Sequence, residues 1–172
     1  MEGLNFKQRL SKITTLMFDV DGVMTDGKVL VMESGEMVRN LNSKDGYAFH
    51  LAVVKGYRVA IISGGNNVAV KNSLERSGVT DVFIRQHDKL GCYQDYLSLH
   101  GLKDEEVLFM GDDLPDHQVM SRVGLAACPN DAVQEIRSIC QYVSPLKGGE
   151  GCVRDIIEQI LKSQGQWSIE KW

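Results

Sequence analysis

The chain has 172 residues, of which 43% are hydrophobic and 24% charged, and its net charge is −4. That length suits one domain with a substantial core and is too short for two comfortable ones, and the acidic balance speaks against a nucleic-acid partner, which would meet a basic face. No apolar run approaches the roughly 18 residues a membrane-spanning helix needs.

Residues 1–12 (MEGLNFKQRLSK) are polar and mixed in charge, so they read as an N-terminal tail rather than a signal peptide. Short apolar runs then recur at 14–20, 57–62, 81–84, 106–110 and 123–127. Continuous runs of that kind predict strands buried on both faces. Between and after them, helical spacing marks 45–55, 66–77, 89–100, 115–122, 131–138 and 152–163. Gly56, Gly78, Gly101 and Gly124 fall where those helices should end. Alternation of this sort predicts an α/β fold with a doubly wound, mainly parallel sheet. The segment 28–41 departs from it: two β-like arms flank Glu33-Ser34-Gly35-Glu36, which predicts a hairpin inserted after the first strand. A glycine-rich stretch from 147 leads into the terminal helix and tail, and nothing marks a linker or repeat. A single domain over 1–172 is expected.

Cys92, Cys128, Cys140 and Cys152 are scattered without a CxxC pair, as expected of reduced thiols in a cytoplasmic protein. His50, His87, His100 and His117 show no zinc spacing.

Ligands of open α/β sheets bind beyond the carboxyl ends of the strands. There the sequence places Asp19 and Asp21 after the first strand and Ser63-Gly64-Gly65 after the second. Lys89 opens the helix after the third, and Gly111-Asp112-Asp113 follows the fourth. Each has a plainer reading alone: a turn for the aspartates, a helix cap for Ser63, a surface charge for Lys89, an acidic helix start for Asp112, Asp113 and Asp116. Together they would require four coincidences. Two carboxylates as close as Asp19 and Asp21 raise the cost of ionising each other, so a cation or a shared proton is expected beside them.

These residues resemble the haloacid dehalogenase-like phosphohydrolases. Asp19-Val20-Asp21-Gly22 is similar to the first motif of that superfamily, Ser63 to its second, Lys89 to its third and Gly111-Asp112-Asp113 to its fourth. Val23-Met24-Thr25-Asp26-Gly27, the hairpin, Asn42-Ser43-Lys44-Asp45-Gly46, Asp116 and Gly148-Gly149-x-Gly151-x-x-Arg154 resemble its capless branch. The members of that branch are 3-deoxy-D-manno-octulosonate (KDO) 8-phosphate phosphatases of lipopolysaccharide precursor synthesis. The resemblance implies no separate cap domain, and Mg²⁺ held by Asp19, Asp112 and the backbone carbonyl of Asp21. It implies Asp19 as nucleophile, Asp21 as general acid and base, and Ser63 and Lys89 on the transferring oxygens. Asp113 and Asp116 would anchor metal-bound water or Lys89. Substrate contacts would come from Asp21, Asn42, Ser43, Lys44, Asp45, Gly46, Ser63, Gly64, Lys89 and Arg154. It further implies a homotetramer whose sites a neighbouring subunit completes, with a sugar-acid phosphate as small-molecule partner and neither nucleic acid nor membrane. One departure concerns the substrate. The branch commonly carries arginine shortly after its second motif, where this chain has Gly65-Asn66-Asn67, followed by Lys71, Asn72 and Ser73. Nine-carbon, sialic-acid-type sugar phosphates therefore remain open as substrates. Two other readings are a non-catalytic assembly module like those attached to cytidylyltransferases and a phosphomutase. The intact motifs oppose the first and the lack of a cap the second.

Overall fold

A computed structural model describes residues 5–168. In chain order the strands are β1 (Thr15–Phe18), β2 (Leu30–Val31), β3 (Met37–Val38), β4 (Arg58–Ile62), β5 (Asp81–Phe83), β6 (Val107–Met110), β7 (Leu125–Cys128) and β8 (Tyr142–Val143). Six of them form one sheet in the order β5-β4-β1-β6-β7-β8, every neighbouring pair parallel. The expected doubly wound α/β architecture is the one observed. The chain runs outward from β1 through β4 to β5, then returns to the other side of β1 for β6. The direction of winding thus reverses beside β1, the position at which such sheets open a crevice.

The strands are buried because both faces are covered. Leu16, Phe18, Ile61, Leu108 and Met110 point to one side, where α2 (Ser43–Val54), α3 (Val68–Arg76) and α7 (Cys152–Ser163) pack through residues such as Phe49, Leu74 and Ile156. Met17, Ala60, Ile62, Phe109 and Ala126 point to the other. There α4 (Lys89–His100), α5 (His117–Met120) and α6 (Gln134–Ile139) cover them through Tyr93, Val119 and Ile136. This odd–even division is the period-two geometry of a strand acting on a continuous apolar run.

Asn42, Asn67 and Asp88 end their loops by accepting bonds from the first-turn amides of α2, α3 and α4. Between β1 and α2 the chain makes the expected hairpin, but only Leu30–Val31 and Met37–Val38 pair. Four expectations shift. Part of the N-terminal tail is a helix, α1 (Phe6–Leu10), whose Leu10 enters the core and whose Phe6 stacks on Tyr142. The strand β8, with two residues and no apolar run, has no counterpart among the expected strands. The helix expected over 115–122 is a 3₁₀ turn at Leu114–Asp116, with proline in its first turn, followed by the short α5. Gly124 does not end a helix: a Cβ there would stand 2.5 Å from the Glu105 carbonyl oxygen, so close packing explains that glycine.

Candidate active site

The parallel sheet sends the carboxyl ends of β1, β4 and β6 to one edge, and the chemistry-bearing residues follow directly. The Asp19 amide still donates to the Met110 carbonyl at 3.0 Å, and the Ser63 amide to Phe83 at 2.9 Å, so both sit one step beyond the ladder. A cavity of about 310 Å³ opens there, lined by Asp19, Asp21, Ser63, Lys89, Asp112 and Asp116 among others.

At its base Lys89 is only 6% exposed and Asp116 1%. The Lys89 ammonium lies 2.9 Å from Asp19 Oδ1 and donates to Asp116 Oδ1 at 2.7 Å. The other Asp116 oxygen accepts from the Asp112 amide at 3.2 Å, so Asp116 ties the third and fourth motifs together. A cation in the first turn of α4 opposes the helix dipole, and these carboxylates offset that cost. Oxygens of Asp19, Asp112 and Asp116 lie within 4.8 Å of one another. Gly22 makes room for this: its φ is +86°, and a Cβ there would fall 1.9 Å from Asp112 Oδ2.

The electrostatics are those of a site short of positive charge. Burial, then the Asp116 charge, pushes the Asp19 carboxyl up to about 7 against the pull of Lys89. Burial and the charges of Asp19, Asp116 and Asp113 push Asp112 up to about 7 as well. Burial raises Asp116 despite its bond to Lys89. Lys89 itself is pushed down by burial, but Asp19 and Asp116 more than reverse this and hold it charged. One lysine does not neutralise three clustered carboxylates. A divalent cation on Asp19 and Asp112 would, and the donor set, all hard oxygens, suits Mg²⁺.

Asp21 behaves differently. Both its oxygens are taken by one guanidinium: Arg39 Nε donates to Oδ1 at 2.6 Å and Nη2 to Oδ2 at 2.9 Å. Sequence reasoning missed Arg39, a lone cation at the end of a hairpin arm whose partner is apparent only once the fold is closed. Ser63 Oγ accepts from the Gly65 amide at 3.1 Å, shaping a turn beside Gly64 that leaves backbone exposed to the cavity. Asp113 is exposed and accepts from the Leu114 amide at 2.8 Å, capping the 3₁₀ turn.

The remaining expected substrate residues are not brought to this cluster within one chain. Asn42, Ser43, Asp45 and Gly46 line a separate cavity of about 270 Å³ beside Met24 and Phe49, and Lys44 is exposed in the first turn of α2. Asp45 is buried, accepts from the Arg154 amide at 2.8 Å, and is pushed up to about 6 by burial against the pull of Arg154. The Arg154 guanidinium lies over Tyr47 and Trp167, 5.9 and 5.5 Å from their ring centres, and 3.6 Å from Glu158.

A buried carboxylate at the end of β1, a second carboxylate two residues on, a serine at the end of β4, a buried lysine and an acidic cluster able to hold a metal ion thus share one edge of a doubly wound sheet, an arrangement suited to phosphoryl-transfer chemistry. Residues 60–156 match the model of the haloacid dehalogenase-like hydrolase family. The chain is 36% identical over 157 residues, 91% of its length and 84% of the relative's, to 3-deoxy-D-manno-octulosonate 8-phosphate phosphatase of Yersinia pestis. The crystal structure of the Yersinia pestis phosphatase superposes with a TM-score of 0.91 at 35% identity, covering 93% of this chain and 86% of that one. A Moraxella catarrhalis phosphatase of the same name, in complex with magnesium ion, phosphate ion and KDO, superposes with a TM-score of 0.90 at 26% identity, over 92% and 91% of the two chains. The chain belongs to the haloacid dehalogenase-like hydrolase family.

Proposed function

We propose that this protein is a Mg²⁺-dependent phosphatase that cleaves KDO 8-phosphate to KDO and phosphate. The observation that carries the substrate is the likeness over nine-tenths of the chain to phosphatases of that name, one of them holding magnesium, phosphate and KDO. The reaction rests on the Asp19–Lys89–Asp112 cluster.

Asp19, Asp112 and the Asp21 carbonyl hold Mg²⁺, whose charge keeps Asp19 ionised at neutral pH and offsets the negative charge of the phosphate. A carboxylate oxygen of Asp19 attacks phosphorus, and the bond from phosphorus to the sugar oxygen breaks. The departing oxygen takes a proton from Asp21. Water then attacks the phosphorus of the aspartyl-phosphate, gives a proton to Asp21, and frees phosphate and Asp19. Lys89 and Ser63 bind the non-bridging oxygens, where fixed donors supply much of the catalysis.

On this reading the enzyme acts as a tetramer in the cytoplasm, where its four free cysteines stay reduced. Support for association comes from the hairpin, which leaves Leu30, Val31, Met32, Met37 and Val38 exposed. Among the described residues no helix is long and apolar enough to cross a membrane. In the tetramer, Arg154 and residues 42–46 serve a neighbour's site. Mixing Asp19→Asn with Arg154→Ala chains under subunit exchange should restore activity, and exchange without restoration would remove that role.

The deciding assay is phosphate release, with Mg²⁺ or a chelator, from KDO 8-phosphate, a nine-carbon sialic-acid-type phosphate and simple sugar phosphates. Mg²⁺-dependent preference for KDO 8-phosphate is expected. Preference for the nine-carbon acid would reassign the substrate and trace to Gly65-Asn66-Asn67. No release from any member would leave an assembly module.

A further inference from the structure

The Arg39 side chain joins the hairpin to the loop that follows β1. We infer that Arg39 is a positioning residue: it holds the Asp21 carboxylate in the orientation from which Asp21 exchanges a proton with the leaving group. This rests on the role given to Asp21 above.

Exposed ion pairs do little because both partners fray into water. This pair is unequal. The Arg39 side chain is 9% exposed while that of Asp21 is 34% exposed, so the cation is covered and the carboxylate faces the cavity. The two contacts are parallel and short, 2.6 Å to Oδ1 and 2.9 Å to Oδ2, and a planar fork on both oxygens fixes the torsion of the carboxylate as a single donor cannot. Asp21 needs such a hold. It stands past the end of β1, in a turn where no strand ladder orients it.

Arg39 is itself anchored. Its Nη1 makes a long 3.4 Å contact with the Met37 carbonyl, and that carbonyl also accepts from Asn67 Nδ2 at 2.9 Å. Asn67 in turn caps α3 by accepting from the Val70 amide at 3.0 Å. The hairpin is thereby tied to the helix that follows the Ser63 loop, and Arg39 is placed relative to both loops at once.

Gly65 distinguishes the two oxygens. A Cβ at that position would lie 3.4 Å from Asp21 Oδ2, 3.4 Å from Ser63 Oγ and 3.7 Å from Arg39 Nη2. Oδ2 is therefore the Asp21 oxygen on the side of Gly65 and Ser63, and Oδ1 takes the shorter of the two bonds from Arg39.

The test compares Arg39→Ala, Arg39→Lys, Asp21→Asn and the double variant Arg39→Ala/Asp21→Asn, each checked for native melting and oligomeric state. Arg39→Ala should lower kcat on KDO 8-phosphate by about 10- to 100-fold, with KM within about two-fold, because misplacement rather than binding is what fails. Its loss should be smaller on nitrophenyl phosphate, whose leaving group needs little protonation. Arg39→Lys should recover part of kcat, since it keeps the charge and loses the fork. In the Asp21→Asn background, Arg39→Ala should cost less than about three-fold, because coupled residues are not additive. A higher KM with kcat kept would make Arg39 a substrate-gripping group and overturn the inference. So would fully additive losses, or an Arg39→Ala enzyme of normal turnover beside an inactive Asp21→Asn. Normal turnover by Asp21→Asn itself would instead remove the role given to Asp21.

Discussion

Metal-free protein should lose stability as pH rises through the range in which its buried carboxyls ionise, and Mg²⁺ should return it. Asp19 and Asp112 are both pushed from 3.8 to about 7 in the folded chain. Between those values the folded state binds more protons than the unfolded one, so stability falls with rising pH. Three units at ~1.4 kcal/mol each amount to on the order of 4 kcal/mol for Asp19. Asp112 adds less than its own shift, because part of it is the same repulsion counted from the other side and because its half-buried carboxyl is partly screened by water. A net loss of ~4 kcal/mol between about pH 4.5 and 8 is expected, or roughly 10 °C in Tm for a domain of this size. Asp45, pushed up to about 6, contributes a slope of the same sign whether or not metal is present. The Mg²⁺-dependent difference therefore isolates the site. Thermal melts in chelator and in saturating Mg²⁺ at both pH values measure it. Mg²⁺ should stabilise strongly at the higher pH and weakly at the lower, where protons compete for the same oxygens. Equal stabilisation at both, or a metal-free protein that melts higher at pH 8, would mean that Asp19 and Asp112 are not held protonated by burial and mutual repulsion.

Gly22→Ala should abolish that Mg²⁺ response, since φ of +86° disfavours the new Cβ and the methyl would displace Asp112 Oδ2 from 1.9 Å away; isothermal titration with Mg²⁺ reads it. Lys89→Met should destabilise by about 3–5 kcal/mol in urea melts by stranding the buried Asp116 carboxylate. Adding Asp116→Asn should return part of that stability and none of the turnover. Asp21→Asn should suffer least with activated esters, and equal losses on KDO 8-phosphate and nitrophenyl phosphate would deny it the first proton transfer.

The legibility of this fold follows from what was local. Runs such as Leu16-Met17-Phe18 and Val107-Leu108-Phe109-Met110 are apolar on both faces of a strand, and their order with the helices is enough to imply winding. With winding known, Asp19, Ser63, Lys89 and Asp112 had to meet at one sheet edge. What could not be read was decided by contacts between distant segments. Two-residue β8 exists because β7 offers an edge, and α1 because Phe6 finds Tyr142. Arg39 looks like any solvated charge until the hairpin folds back over Asp21. Resemblance groups residues 42–46 and Arg154 with the substrate, yet within one chain they lie at the start of α2 and in α7 and do not line the Asp19 cavity.

If Asp19 carries the phosphoryl group during hydrolysis of KDO 8-phosphate, replacing its carboxylate should end turnover. Initial rates of phosphate release from that substrate in saturating Mg²⁺, with wild-type protein beside Asp19→Asn of equal folded fraction, measure this. A neutral amide is a poor nucleophile and a poor metal ligand, so the variant should fall by at least about a thousand-fold while the wild type turns over. An Asp19→Asn protein that releases phosphate within a few-fold of wild type would show that Asp19 is not the nucleophile.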